Sequence, residues 1–313
     1  MEKKYEIIIY YKYTKVADPA GFVKWHKDVC TKLGLLGRVL IAEEGINGTL
    51  EGTPENLAEY ERLMHAQDGT QGTFGDFADL WFKHSPGTGS AFPKLKVKVR
   101  KEIVTLGVSN EDIDPNKITG VHITPEELKE WIARGDDFEI IDMRNDYEYA
   151  VGHFRNSINP NLENFRDLQK VAPTLSAYKE KKVLAVCTYG VRCEKATGLL
   201  KKEGFKDVYQ LKGGIGTYMK AYPGEDFLGS LFVFDDRMTE RFTEKYEVVG
   251  KCGVCTSSSE HFTNCSFPEC HKKMIVCEPC IQKEKNIWCS VACMRENEGV
   301  VVTDSLQRTK NLR

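Results

Sequence analysis

The sequence of 313 residues predicts a multidomain α/β protein with three structural parts. Strand and helix patterns follow the order β-α-β-β-α-β near the N-terminus, which is typical of an α+β domain. Short buried strands alternate with helices in the middle of the chain, which predicts a parallel sheet. Eight of the eleven cysteines fall between Cys252 and Cys293, which indicates a small cysteine-rich module. We place the three parts and a final polar tail at residues 1–110, 122–224, 225–298 and 299–313.

The composition excludes several classes of protein. Hydrophobic residues make up 41% of the chain and charged residues 29%, as in globular proteins with more than one core. Lys+Arg 44 against Asp+Glu 46 gives a net charge of −2, so any nucleic-acid-binding surface must be local. The apolar run Ile7–Ile9 is too short for a signal-peptide core or a membrane span. We therefore expect a cytoplasmic protein with no membrane association.

The N-terminal part has the element order of a ferredoxin-like split. Residues 5–13 are β-branched and aromatic, which predicts a strand, and Asp18-Pro19 supplies an N-cap and a first helical residue. We interpret residues 43–48 as a hairpin turn, because Asn and Gly tolerate positive φ. The remaining predicted elements are a strand at 38–42, a short strand ending at Gly52, a helix at 53–67, and strands at 80–84 and 94–106.

A basic strand closes this part of the chain. Charged and apolar residues alternate with period 2, so four basic side chains share one face, and three apolar ones share the other. This pattern fits a half-buried strand with a solvated outer face. It also fits a surface for the phosphate backbone of RNA, which would bind in a salt-dependent way. The basic residues, which we call the basic strand, are Lys94, Lys96, Lys98 and Arg100, and the apolar ones are Leu95, Val97 and Val99.

The middle part has the pattern of an α/β unit. Thr124 and Glu127 form a capping box at the start of a helix. Strands are predicted at 138–142, 182–186 and 207–211, with helices between them. In such sheets the chemistry lies just past the carboxyl ends of the strands, so we look for a site there.

The residues directly after one of these strands form a nucleophile loop. Backbone N–H groups, a following helix N-terminus and Arg192 all favour the thiolate of Cys187, which is the reactive form. We therefore interpret Cys187 as the nucleophile and Arg192 as the group that stabilises its charge; the alternative is a small buried residue at a strand end. Cys193 either forms a disulfide with Cys187 or resolves its persulfide; the alternative is a residue at the helix start that packs beneath the loop. The active loop consists of Cys187, Thr188, Tyr189, Gly190, Val191 and Arg192.

The loop length distinguishes between two cysteine chemistries. Four residues separate Cys187 from Arg192, one fewer than in cysteine-dependent phosphatases, and the smaller cradle suits a single sulfur atom. The pattern resembles the active loop of rhodanese-like sulfurtransferases, and the resemblance covers residues 122–224. Segments that carry it further are Asp142-Met143-Arg144 with Glu148, residues 152–159, and Lys212–Ile215 followed by Tyr218. We expect Asp142 and Arg144 to support the loop as a buried ion pair, because breaking such a pair is costly.

The cysteine-rich part follows a predicted β-hairpin with strands near 230–235 and 246–249. Four close cysteine pairs are what two tetrahedral all-cysteine sites require, and two structural zinc ions are the simplest count. In interleaved pairing the first cysteine pair shares an ion with the third, and the second with the fourth; in sequential pairing neighbouring pairs share an ion. Both arrangements fit the spacing. The alternative to metal is a small module of packed, reduced thiols. The predicted ligands are Cys252, Cys255, Cys265, Cys270, Cys277, Cys280, Cys289 and Cys293.

The combination of the three parts resembles the oxygen-dependent tRNA uridine(34) hydroxylase family. The motifs that carry this resemblance are residues 41–49 (Ile-Ala-Glu-Glu-Gly-Ile-Asn-Gly-Thr), 187–196 (Cys-Thr-Tyr-Gly-Val-Arg-Cys-Glu-Lys-Ala) and 232–237 (Phe-Val-Phe-Asp-Asp-Arg). The family commonly has Gly-Gly within the loop, whereas this chain has Tyr189-Gly190, which adds bulk at the loop mouth.

The resemblance implies a monooxygenase-like oxidoreductase that forms 5-hydroxyuridine at position 34 of tRNA, with O2 as co-substrate. The sequence contains no flavin or nicotinamide fingerprint. Two other functions remain open from the residues. One is a plain persulfide-forming sulfurtransferase that takes sulfur from a small-molecule or protein donor. The other is a non-enzymatic zinc adaptor that uses the rhodanese fold as a scaffold.

Overall fold

The computed structural model describes residues 4–108 and 112–297. Its N-terminal domain is a five-stranded sheet with strand order β4-β1-β3-β2-β5. Neighbouring strands are antiparallel except for the parallel pair β2 and β5, so the predicted ferredoxin-like arrangement is confirmed, with one strand added at an edge. The predicted tail at 299–313 lies outside the described residues. The elements are β1 (Glu6–Tyr13), α1 (Pro19–Lys32), β2 (Leu36–Ala42), β3 (Gly45–Gly52), α2 (Pro54–His65), β4 (Lys83–Pro86) and β5 (Leu95–Val99).

Helices α1 and α2 cover one face of this sheet and leave the other face to the rest of the protein. The covered face buries Ile8, Val39 and Leu50 against Phe22 of α1 and Leu57 of α2. Each helix begins where its cap predicts: the carboxylate of Asp18 accepts a hydrogen bond from the Gly21 N–H at 2.9 Å, and proline follows the cap. The uncovered face contributes to the site described below.

The predicted hairpin turn at 43–48 is wrong in its position. The turn between β2 and β3 consists of Glu43 and Glu44 alone, because Ala42 pairs with Gly45. Gly45 has a φ of +147°, and a Cβ at this position would lie 2.1 Å from the carbonyl oxygen of Lys12. Close approach of β1 therefore requires this glycine, and Asn47 belongs to a strand.

The predicted strand at 94–106 is shorter than expected, since β5 ends at Val99. The basic residues on this strand are exposed as expected, and Lys96 pairs with Arg38 and Lys98 with Leu40 of β2. Val99, which the alternation assigns to the buried face, is 49% exposed because β5 is an edge strand.

The middle domain contains the predicted parallel sheet, with strand order β6-β10-β9-β7. The capping box is present: the Glu127 N–H donates to the Thr124 hydroxyl, and the Thr124 N–H donates to the Glu127 carboxylate. Two 3-10 helices at Phe165–Asp167 and Ala172–Tyr178 flank α5. The elements are β6 (Val121–Ile123), α3 (Pro125–Arg134), β7 (Glu139–Asp142), α4 (Asp146–Val151), β8 (Gly152–Phe154), α5 (Leu168–Val171), β9 (Lys182–Val186), α6 (Val191–Lys202), β10 (Asp207–Leu211) and α7 (Gly214–Ala221).

The C-terminal part consists of short paired strands and two short helices. Strand β11 pairs with β8, β12 with β13, and β14 with β15. The partner strand predicted near 246–249 is wrong, because the hairpin closes earlier, at β13. The elements are β11 (Phe227–Gly229), β12 (Leu231–Phe232), β13 (Thr239–Glu240), β14 (Phe262–Asn264), β15 (Lys273–Ile275), α8 (Glu278–Lys283) and α9 (Val291–Asn297).

Aromatic packing joins the cysteine-rich module to the middle domain. The ring of Tyr147 on α4 lies edge-on to Phe232 and Phe262, with centroid distances of 5.1 Å and 6.3 Å. Within residues 4–108 and 112–297, no helix is long and apolar enough to cross a membrane.

Buried charges join the N-terminal domain to the middle domain. Lys195 of α6 has no exposed surface, and its Nζ lies 2.7 Å from a carboxylate oxygen of Glu44 and 2.7 Å from one of Glu102. The hydroxyl of Tyr13 donates to the Val191 carbonyl at 3.2 Å. These contacts place the uncovered face of the N-terminal sheet against the start of α6.

Candidate active site

The active loop begins where the central strand β9 ends. Cys187 has no exposed surface, and the Gly190 N–H donates to its Sγ at 3.2 Å. Gly190 adopts a left-handed conformation with φ of +100° and precedes the first residue of α6. A side chain would be strained there, so glycine allows the chain to turn from the strand into the helix.

The first turn of α7 holds the loop backbone in place. The N–H groups of Ile215 and Gly216 donate to the carbonyls of Cys187 and Thr188, each at 2.9 Å. A Cβ on Gly214 would lie 2.6 Å from the Cys187 carbonyl oxygen, so this position has no room for a side chain. Close packing against the active loop thus explains the glycine at position 214 of the Lys212–Ile215 segment.

Arg192 lies behind the loop, fixed by a buried carboxylate. Its two terminal nitrogens lie 2.6 Å and 2.7 Å from the oxygens of Glu148, and one of them also donates to the Thr188 hydroxyl at 3.0 Å. Burial raises the pKa of Glu148, but the charges of Arg192 and Arg144 outweigh it and leave this pKa below its ordinary value. Glu148 therefore stays ionised and orients the guanidinium.

The Cys187 thiol is stabilised as a thiolate although it is buried. Burial alone would raise its pKa, but a hydrogen bond with the Cys193 thiol and the charge of Arg192 outweigh this effect and lower the pKa to about 6. Burial and the hydrogen bond to Cys187 raise the pKa of Cys193 itself, so Cys193 stays protonated and can donate. The two cysteines thus differ in ionisation, because the thiolate is favoured at Cys187 and the thiol at Cys193.

Asp142 and Arg144 form the expected buried ion pair. Neither side chain has exposed surface, and Arg144 donates to the two carboxylate oxygens through Nε at 2.9 Å and Nη2 at 2.7 Å. Nη2 of Arg144 also donates to the Gly152 carbonyl at 2.6 Å. The pair fixes the end of β7 against the start of β8, so its contribution to the loop is indirect.

A cavity of about 400 Å³ lies between the uncovered face of the N-terminal sheet and the active loop. Cys187 and Arg192 line it from the loop, and Arg38 and Asn47 line it from the sheet. The Tyr189 hydroxyl donates to Glu240 at 3.0 Å, which holds the ring against β13. The structure therefore brings the predicted nucleophile together with polar groups of the N-terminal domain.

The eight predicted metal ligands form two separate groups of four sulfur atoms. Within each group the sulfur atoms all lie within 4.8 Å of one another, and each group contains cysteines alone. The pairing is interleaved, so the structure resolves the choice that the spacing leaves open. Four thiolates suit a tetrahedral ion such as zinc and leave no open position for catalysis. The groups are Cys252, Cys255, Cys277 and Cys280, and Cys265, Cys270, Cys289 and Cys293.

Sequence reasoning missed several residues of the site. Glu148 was part of a motif, but nothing in the spacing predicts that it binds Arg192. Asn47 was assigned to a turn, yet its strand position brings it to the cavity. Phe234 lines the cavity and is 52% exposed; only its place in the 232–237 motif could have indicated it. The basic strand does not line the cavity, but it shares a sheet face with Arg38.

Comparisons with known proteins match all three parts of the chain. Family models described as UPF0176 acylphosphatase like domain, rhodanese-like domain and rhodanase C-terminal match residues 5–103, 124–221 and 228–294. A tRNA uridine(34) hydroxylase of Bacillus velezensis is 41% identical over 308 residues, which cover 97% of this chain and 92% of the relative. One of Staphylococcus aureus is 39% identical over 310 residues, with 94% and 95% covered.

The chain belongs to the tRNA uridine(34) hydroxylase family. This membership confirms the resemblance drawn from the motifs. The family models and the cysteine groups also confirm the predicted fold class, a ferredoxin-like domain, a rhodanese-like domain and a cysteine-rich module. Among solved structures, a rhodanese-like domain from Anabaena sp. is 22% identical and covers 42% of this chain and 92% of its own, with a TM-score of 0.30. The roles of Cys187, Arg192 and Cys193 stay predictions.

We expect iodoacetamide to alkylate Cys187 of this hydroxylase family member at a rate that rises to a plateau through a midpoint near pH 6, since only the thiolate reacts. About nine-tenths of the thiol would be ionised at pH 7. Cys193→Ala should raise the midpoint, because it removes the hydrogen-bond donor. Peptide mass spectrometry separates Cys187 from the other cysteines.

Cys30 is an internal control for this experiment, because burial raises its pKa to about 12 and it should remain unmodified. A wild-type midpoint at the ordinary pKa of cysteine, or a midpoint that Cys193→Ala leaves unchanged, would contradict the assignment.

Proposed function

We propose that this protein hydroxylates carbon 5 of uridine at position 34 of tRNA, with Cys187 as its nucleophile. Family membership over nearly the whole chain carries this proposal. A buried thiolate in an interdomain cavity supports the role of Cys187, because covalent catalysis needs an activated nucleophile that faces the substrate. A tRNA substrate also supports a cytoplasmic location.

The chemistry of uracil gives Cys187 a specific task. The thiolate adds to carbon 6, the electrons of the 5,6 double bond move toward oxygen 4, and carbon 5 becomes nucleophilic. After oxygen is added there, loss of the carbon 5 proton and departure of the thiolate restore the ring. With O2 as co-substrate, one oxygen atom enters the C–H bond, and the other leaves as water; the two electrons and two protons for this step come from an external donor, such as two small-molecule thiols that are oxidised to a disulfide. Overall this is a monooxygenase-like reaction.

Arg192 and Cys193 serve the thiolate in this proposal. Arg192 supplies positive charge from a position fixed by Glu148, and Cys193 supplies a hydrogen bond. When the thiolate leaves carbon 6, both groups stabilise the charge that returns to sulfur. The backbone N–H of Gly190 adds a third stabilising contact, at 3.2 Å.

The basic strand offers a path for the phosphate backbone of the tRNA. Its side chains are exposed on the edge strand β5, and Lys96 pairs in register with Arg38, which lines the cavity. Basic charge therefore extends across the sheet surface from the cavity to the protein edge. Because the whole chain carries a net charge of −2, this local surface would provide the attraction for RNA.

Zinc is the ion that we assign to the two cysteine groups. Four thiolates within 4.8 Å of one another match its ligand preference, and a closed set of ligands gives a structural role. The module packs through Phe262 against Tyr147, the neighbour of Glu148. Metal binding would thus stabilise the surface behind the active loop.

A persulfide-forming sulfurtransferase is the second candidate function. The four-residue loop and the N–H group of Gly190 on the Cys187 sulfur favour it, because they would also hold a terminal persulfide sulfur. A small-molecule or protein donor would supply the sulfur. A mass increase of one sulfur atom on Cys187, with tRNA nucleosides unchanged, would select this function.

In cells that lack this protein, we expect 5-hydroxyuridine and its derivatives to disappear from position 34 of tRNA. The wild type should restore them, and Cys187→Ser should not, since serine is not ionised near neutral pH. Cys193→Ser keeps a hydroxyl donor and should restore them in part. Mass spectrometry of nucleosides measures the outcome, and modification that persists after deletion in a strain with no second pathway would refute the proposal.

Binding of tRNA should weaken as salt rises, because phosphate contacts release counterions. Each lost contact in Lys96→Ala or Lys98→Ala should reduce the slope of log affinity against log salt by about one. Lys202→Ala, at an exposed lysine of α6, is the matched control and should leave the slope unchanged. Equal slopes for all of these variants would remove the basic strand from the interface.

The purified protein should contain two zinc ions per chain, measured by inductively coupled plasma mass spectrometry, one for each cysteine group. Cys277→Ser should impair the same centre as Cys252→Ser, because the pairing is interleaved. Cobalt substitution distinguishes a complete set of four sulfur ligands from three by its visible absorption. If Cys277→Ser perturbs the centre of Cys265 and leaves that of Cys252 intact, the interleaved assignment fails.

A further inference from the structure

The interdomain cavity has the size and wall chemistry of a site for one nucleobase. Its volume of about 400 Å³ lies within the range of small-molecule pockets. The walls combine aromatic rings, such as Phe92, with polar side chains from both domains. An enzyme that acts on a base must receive that base unstacked from its neighbours, so a pocket for a single base is required.

Phe234 presents an aromatic ring to this cavity. The ring is 52% exposed, lies edge-on to Phe232 at 5.1 Å, and has the guanidinium carbon of Arg192 at 5.6 Å from its centroid. An exposed aromatic ring beside a basic group is a typical surface on which a base can stack. Phe232 of the same motif is buried with Val151 and Ile275, whereas Phe234 belongs to none of the buried clusters among the described residues.

The turn that carries Phe234 is held rigidly. Asp235 accepts hydrogen bonds from Arg237 Nε at 2.8 Å and Nη2 at 2.7 Å. Arg237 Nη1 donates to the Pro86 carbonyl at 3.0 Å, and the Asp236 N–H donates to the Ala91 carbonyl at 2.9 Å. Contacts to the N-terminal domain therefore fix this turn before any substrate binds, which reduces the entropy cost of stacking.

Asn47 supplies a hydrogen-bond acceptor with a defined orientation. Its Nδ2 donates to the Ile103 carbonyl at 3.1 Å, which determines which end of the amide is free. Among the residues that the structure describes, no group donates a hydrogen bond to Oδ1, and Asn47 lines the cavity. Uracil carries an N–H donor at nitrogen 3, whereas cytosine carries a lone pair there, so an acceptor at this point favours uracil.

We propose that the cavity is a uracil subsite in which the base stacks on Phe234 and its nitrogen 3 donates to Oδ1 of Asn47. The inference rests on the proposed function, since it names how that site would select its base. Stacking provides affinity for any base, and Asn47 provides the preference for uridine over cytidine. Stacking on Phe234 fixes the plane of the base, and the hydrogen bond to Asn47 fixes its edge, so that Cys187 faces a base in one orientation.

Protection of Cys187 from iodoacetamide measures occupancy of the cavity without requiring turnover. The probes are anticodon stem-loop RNAs with uridine or cytidine at position 34. We expect the uridine RNA to protect Cys187 at a concentration about tenfold lower than the cytidine RNA, as one good hydrogen bond would give. Phe234→Leu should weaken protection by both RNAs about tenfold, and Phe234→Trp should retain it, because stacking depends on the aromatic ring.

The Asn47 variants separate selection from affinity. Asn47→Leu should abolish the preference for uridine, whereas Asn47→Gln keeps both the amide donor and the acceptor oxygen and should retain it in part. Val121→Ala changes an apolar residue of comparable exposure on the edge strand β6, and protection should be unchanged. Thermal melting confirms that each variant is folded.

The outcomes distinguish the subsite from the proposed activity. Protection that follows this pattern, without 5-hydroxyuridine formation by the wild type, would support the subsite and refute the activity. Hydroxylation by the wild type, with protection unaffected by Phe234→Leu and equal for the two RNAs, would overturn the subsite and leave the activity. Equal protection by an RNA that lacks a base at position 34 would also overturn it.

Discussion

Burial of the first turn of α6 is the constraint on which the rest of the structure depends. Three charged side chains near the start of this helix, those of Arg192, Glu194 and Lys195, lie away from solvent, and a buried charge without a partner is strongly destabilising. Their partners come from both domains and from the segment between them, so the helix can be buried only when the domains dock in this arrangement. Arg192 pairs with Glu148, Glu194 accepts from Tyr11 and His122, and Lys195 lies between Glu44 and Glu102.

The same turn explains how a thiolate can exist in a buried position. Because Glu148 neutralises much of the charge of Arg192, the guanidinium alone would be a weak source of positive potential. The Cys193 thiol and the charge of Arg192 together outweigh burial and lower the pKa of Cys187 to about 6. Cys193 is buried at the start of α6, and its role beside Cys187 stays a prediction. Closing the cavity with the N-terminal sheet keeps this arrangement away from bulk water, which strengthens each electrostatic contact.

The sequence was informative where short-range geometry decides the structure. The capping box at Thr124, the turn at Gly190 and the face shared by the basic strand all follow from local rules and hold in the structure. The sequence was uninformative where a segment that is distant along the chain determines the local conformation. Gly45 needs its conformation because β1 approaches it, so a local rule misassigned Asn47 to a turn. The bond between Glu148 and Arg192, and the interleaving of the cysteine pairs, depend on how whole elements pack, which spacing does not encode.

Interleaving of the cysteine pairs also determines when the two proposed metal centres could be completed during biosynthesis. The first centre needs Cys280 and the second needs Cys293, so neither has its full set of ligands until translation is nearly complete. The two domains that enclose the cavity have left the ribosome by then and contain their own cores. The proposed metal would therefore bind a nearly finished chain and stabilise the last module to form, and a chain truncated before Cys280 completes neither group of four cysteines.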